Sequence, residues 1–145
     1  MVTTFRKLNE GWNAEPNAPE PQVKLNGKTL ELSFFLNPWQ FPEYAEGQHG
    51  RVTFTGVSHY RLGSTNDEGW YCGQCRFSGM APKWGEFYEV GGDLLLQKVQ
   101  GEWVQVTKSG DRARNHYLFY FRDETFECDA DGWQFSPEER GGEPA

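Results

Sequence analysis

The stretch His116–Phe135, HYLFYFRDETFECDADGWQF, decides the fold class. Tyr117, Leu118, Phe119, Tyr120 and Phe121 are apolar on both faces of an extended chain, which suits a central strand covered on both sides. Downstream, Asp131-Gly132 has the composition of a type I′ hairpin turn, because both residues tolerate positive φ. That turn would set Ala130 opposite Trp133, Asp129 opposite Gln134 and Cys128 opposite Phe135. Side chains alternate along a strand. Phe126, Cys128, Ala130, Trp133 and Phe135 are therefore predicted to share an inward face, and Glu127, Asp129 and Gln134 a polar outward one. A one-residue slip would drive carboxylates into the core, so the pattern also constrains register.

Working outward, residues 10–21, EGWNAEPNAPEP, carry three prolines and cannot form a helix. They read as an extended lead-in that Trp12 pins to the body. In QVKLNGKTLELSFFL, Asn26-Gly27 is a hairpin signal that would place Val23 opposite Leu30. Leu30, Leu32, Phe34 and Leu36 then form an inward row that Asn37-Pro38 ends. Residues 38–49 are an aromatic-rich loop. Arg51–Val57 alternates as a strand, with Val52, Phe54 and Gly56 on one side. Gly63–Gly69 is a loop, and Trp70–Phe77 and Gly85–Val90 are strands. Asp93–Val99 offers either a helical turn or, preferably, the first arm of a hairpin returning as EWVQV, since Trp103, Val104 and Val106 favour strands.

The expected fold is mainly β: an antiparallel sandwich or strongly curled sheet of about eight or nine short strands, with at most one short helix. Residues 1–21 form the lead-in, 22–137 a single β-rich domain and 138–145 a disordered tail. The 145 residues suffice to bury a core without disulfides or metal. Eleven Phe, six Trp and six Tyr make that core one built from rings. No βαβ alternation supports a nucleotide-binding α/β fold.

The formal charge of −7 argues against nucleic-acid binding and permits a basic protein partner. No run approaches the roughly 18 apolar residues of a membrane span, and MVTTFRKLNEGW lacks the apolar centre of a signal peptide. Three cysteines suit a cytoplasmic chain with free thiols.

Three patterns resemble chemistry. Trp70-Tyr71-Cys72-Gly73-Gln74-Cys75 resembles the thioredoxin-family motif, but Gly79 and Pro82 would break the helix that lowers the thiol pKa there. Zinc on Cys72 and Cys75 would need two more ligands from Cys128, His49, His59 and His116, and no second close pair exists. His59 and His116 are expected as strand residues with ordinary hydrogen-bond partners, and His49 in a polar loop. Glu127-x-Asp129-x-Asp131-Gly132 with Glu138 resembles an EF-hand loop. Its first position is Glu, its eighth Gln134 and its eleventh Pro137, and helices do not flank it. No catalytic residue, metal site or cofactor is expected.

Gly69-Trp70-Tyr71 with Gly73-Gln74-Cys75-Arg76-Phe77-Ser78, then Trp84-Gly85-Glu86-Phe87-Tyr88-Glu89-Val90, then residues 116–133, make the chain similar to uncharacterised small bacterial proteins. In size, charge and closing Phe-Glu-Cys strand it also resembles immunity proteins of polymorphic toxin systems. That resemblance implies a non-catalytic protein that masks a basic toxin domain. The expected docking residues are the acids Asp123, Glu124, Glu127 and Asp129, with Trp39, Phe41 and Tyr44 as ring anchors. The alternative is a small-molecule-binding protein or enzyme with an aromatic-lined cavity.

Overall fold

The computed structural model describes residues 4–63, 85–92, 104–106, 115–121 and 124–138. These contain ten strands and no helix: β1 (Thr4–Lys7), β2 (Gln22–Asn26), β3 (Thr29–Phe35), β4 (His49–Thr55), β5 (His59–Gly63), β6 (Phe87–Gly91), β7 (Val104–Gln105), β8 (Asn115–Tyr120), β9 (Thr125–Ala130) and β10 (Gly132–Pro137). They form two open antiparallel sheets, one ordered β1-β6-β8-β9-β5-β7 and the other β10-β4-β3-β2. The mainly β expectation holds. Trp70–Phe77, with Cys72 and Cys75, and Asp93–Val99 lie outside the described residues, as do Asp123 and all but the first residue of the expected tail.

The Asp131-Gly132 hairpin does not form. Strand β9 pairs with β8 on one side and β5 on the other, so neither of its edges is free. The chain instead leaves the sheet at Asp131, whose N–H donates to the Thr55 carbonyl at 2.8 Å. It continues as β10 along β4 in the second sheet. The β4–β5 segment makes the same crossing beside it. Pairing passes from Gly132 opposite Thr55 to Asp129 opposite His59, so Gly56, Val57 and Ser58 face only Ala130 and Asp131. The extra residue makes this corner a β-bulge, and Gly56 there has φ +65°. Strands that switch sheets through a bulge are how sandwich corners are built.

The expected inward face survives the change of partner. Phe126, Cys128 and Ala130 are fully buried, and Trp133 and Phe135 pack on the same core from the other sheet. Gln134 is exposed, as expected, but Glu127 and Asp129 are buried.

The β2–β3 hairpin forms with its register displaced by two residues. Asn26 pairs with Thr29, Val23 with Leu32, and the turn centres on Gly27-Lys28. Only Gly27 has positive φ (+62°), so glycine takes the first central position of the turn. A shift of two preserves facing. Leu30, Leu32, Phe34 and Leu36 accordingly remain buried.

The lead-in is knitted into the body. Strand β1 pairs with β6, and Ala14 bridges Leu36. Trp12 stacks on Phe135 at 4.0 Å with the rings 3° from parallel, and also touches Phe34, Phe87 and Phe119. It thus meets rings from both sheets. Asn9 Oδ1 accepts the Phe87 N–H at 3.0 Å, and Asn9 Nδ2 donates to the Trp12 carbonyl at 2.7 Å, fixing the turn that delivers the indole. Phe34–Phe119 (4.9 Å) and Phe54–Phe126 (5.5 Å) join the sheets directly. Such ring pairs each add about 0.5–1.5 kcal/mol beyond area burial. Among the described residues, no helix is long and apolar enough to cross a membrane.

Candidate functional site

The outward face of the six-stranded sheet carries a buried cluster of titratable groups. Alternation and register together create it. Asp129 lies directly opposite His116 on β8 and His59 on β5, and Glu127 opposite Leu118 and Arg61. All of these point away from Phe126 and Cys128. His116 reaches Asp129 Oδ1 from Nδ1 at 2.5 Å and Glu127 Oε1 from Nε2 at 2.8 Å. A ring that donates from both nitrogens is an imidazolium. His59 Nε2 lies 2.9 Å from Asp129 Oδ2, and Ser58 Oγ lies 3.2 Å from His59 Nδ1.

The energetics follow from burial. His116, Glu127 and Asp129 are 3%, 1% and 5% exposed. Desolvation alone would push the His116 pKa down, but hydrogen bonds to Asp129 and Glu127, and their charges, raise it above its ordinary value. Desolvation likewise would raise Asp129, yet hydrogen bonds from His116 and His59 hold its carboxyl far below the usual carboxylate range. Buried charges persist only when so paired, and removing one partner of such a pair costs about 3–5 kcal/mol.

Ser58, His59 and Asp129 meet in the order of a Ser–His–Asp triad. A nucleophile must be open to substrate, and Ser58 is 3% exposed. The cluster is therefore suited to clamping β5, β8 and β9 together. It also changes the standing of the acids expected to dock a partner: Glu127 and Asp129 are turned to histidines inside the protein and present nothing to an outside surface. Glu124 is half-buried, and its carbonyl accepts the Phe121 N–H at 2.9 Å in the β8–β9 turn.

The expected ring anchors lie together in a separate place, the 37–48 loop. Asn37 Oδ1 accepts the N–H groups of Trp39 (3.1 Å) and Gln40 (3.2 Å). Phe41 N–H donates to the Asn37 carbonyl at 3.2 Å, and Tyr44 N–H to the Phe41 carbonyl at 3.1 Å. At the far end, Ala45 N–H donates to Gln48 Oε1 at 2.8 Å. This short-range bonding orders the loop backbone. Tyr44 packs against the core, and burial, with the Glu43 charge adding to it, pushes its phenol pKa up. Phe41 is half-buried, and Trp39 stands 61% exposed.

His59 and His116 are strand residues, as expected, but their carboxylate partners were not foreseen. The signal lay in the pairing of β8 with β9: setting Tyr120 opposite Thr125 brings His116 opposite Asp129. No protein-family model matches the chain, and no curated protein or solved structure matches it significantly.

Proposed function

We propose that the protein is a non-catalytic protein-binding module that docks a basic partner through its 37–48 loop, in the manner of an immunity protein masking a toxin domain. The observation that carries this reading is Trp39, a large indole held in water on a loop whose backbone is fixed at both ends. A loop backbone already ordered lowers the entropy cost of binding, and Trp is enriched among residues that dominate interface energies. Glu43 and Glu46, exposed in the same loop, add local negative charge to a chain of net charge −7. Such charge speeds encounter with a basic surface. The buried free thiol of Cys128 suits a reducing compartment such as the cytoplasm.

The alternative reading, a small molecule in an aromatic-lined cavity, has less support, because the rings between the sheets pack on one another. Calorimetric titration against the product of the adjacent gene tests the proposal. Trp39→Ala is expected to weaken binding by about 30-fold or more, and Glu43→Lys with Glu46→Lys to slow association. No binding would remove the immunity-type reading. Binding indifferent to all three changes would remove the loop as the docking surface.

A further inference from the structure

The outward face of the four-stranded sheet carries a second feature, unrelated to the 37–48 loop's exposed indole. Gln22 of β2, Glu31 and Ser33 of β3, His49 and Arg51 of β4, and Glu138 line an open groove of about 350 Å³. Register builds it: Gln22, Ser33 and Arg51 stand in one cross-strand row, with Glu31 in the adjacent outward row. One end is finished by Glu138. Its N–H donates to the His49 carbonyl at 2.8 Å, and its carbonyl accepts Gln48 Nε2 at 2.6 Å. Its carboxylate lies 3.5 Å from His49 Nδ1. The His49 ring itself stacks on Phe35 at 4.3 Å, so this wall is held from two sides.

Groups of both charges, with neutral polar ones, line the groove. Arg51 and Glu31 are diagonal neighbours on adjacent strands, a spacing at which long side chains reach each other. They nonetheless make no ion pair with each other. Lys24, opposite Glu31 in register, makes none with it either. A guanidinium and a carboxylate thus stand apart across a concave surface, with a hydroxyl and a carboxamide between strands to complete the lining.

We infer that this groove binds a small zwitterion of the α-amino-acid or dipeptide class. The guanidinium fork of Arg51 matches a carboxylate in bidentate fashion, with Ser33 Oγ donating beside it. The carboxylate of Glu31, with the Gln22 amide carbonyl, accepts from the ammonium group. A volume near the lower end of ligand pockets fits a molecule of this size. Recognition of both ends is what separates this ligand from a simple anion or cation.

The experiment is amide NMR titration of the full chain with alanyl-alanine, its N-acetyl derivative and its C-terminal amide, each up to about 10 mM, a range that detects millimolar affinity. The free dipeptide is expected to shift the amides of Glu31, Ser33, His49 and Arg51 saturably. Each blocked derivative is expected to bind at least tenfold more weakly. Arg51→Gln and Glu31→Gln, both on the outward face and expected to keep the wild-type amide spectrum elsewhere, should abolish the shifts. No saturable shift, equal binding of the blocked derivatives, or wild-type affinity in either variant would overturn the inference.

Discussion

Asp129 stands directly opposite His116 across strands β8 and β9, with Oδ1 2.5 Å from the ring Nδ1, while its other oxygen meets His59 of strand β5. One carboxylate thus ties three strands at the centre of the six-stranded sheet. Glu127 engages the opposite nitrogen of the same ring.

The clamp makes stability depend on pH from both sides. The His116 pKa is raised in the folded state, so its contribution is complete below about 6.5, the ordinary histidine value, and is lost as pH rises through the raised value. Asp129 is lowered, so its contribution is complete above about 3.9 and declines as pH falls. Urea unfolding measured from pH 3 to 9 is expected to give maximal stability between about 4 and 6.5. A stability flat from pH 5 to 9 would contradict the His116 assignment.

Removing one member of the clamp strands the others. Asp129→Asn is expected to cost about 3–5 kcal/mol in the same assay, since His116 and His59 lose a charged partner in a dry site. Gln134→Lys, on an exposed outward position of β10, should change stability by no more than about 0.5 kcal/mol. Equal effects of the two substitutions would show that the carboxylate does not clamp the strands.

Trp12 is expected to behave as a core residue although it precedes the first sheet-forming hairpin. Trp12→Ala deletes a ring stacked on Phe135 and touching Phe34, Phe87 and Phe119. The expected loss is about 3–5 kcal/mol. A loss below about 1 kcal/mol would mean that the lead-in is dispensable to the packing.

At the corner where the chain changes sheets, Gly56 combines φ +65° with a Cβ position that the Asp131 carboxylate already occupies. Gly56→Ala is expected to cost about 1–3 kcal/mol. Asp131→Ala in that background should recover the steric part and leave the backbone part. Denaturation of the single and double variants separates the two.

Cys128 is fully buried, and its thiol pKa is raised by burial and by the neighbouring charges of Asp129 and Glu127. The thiolate is the reactive form. Alkylation at pH 8, read by mass spectrometry of the Cys128 peptide, is expected to be negligible in the native protein and rapid in urea. Rapid native labelling would contradict its place in the core.

The sequence by itself determined which side chains face inward. Leu30, Leu32, Phe34, Val52, Phe54, Phe126 and Cys128 follow a two-residue period, which is local and survives a two-residue register shift or a change of partner strand. Only the tertiary structure decided which edges meet. Strand β9 has both edges filled by β5 and β8, so β10 crosses to β4, and an Asp-Gly pair suited to a hairpin becomes a corner. The same long-range pairing turned Glu127 and Asp129 from outward acids into buried partners of His116 and His59. Alternation assigns a residue to a face, but whether water reaches that face depends on contacts between segments far apart in the chain.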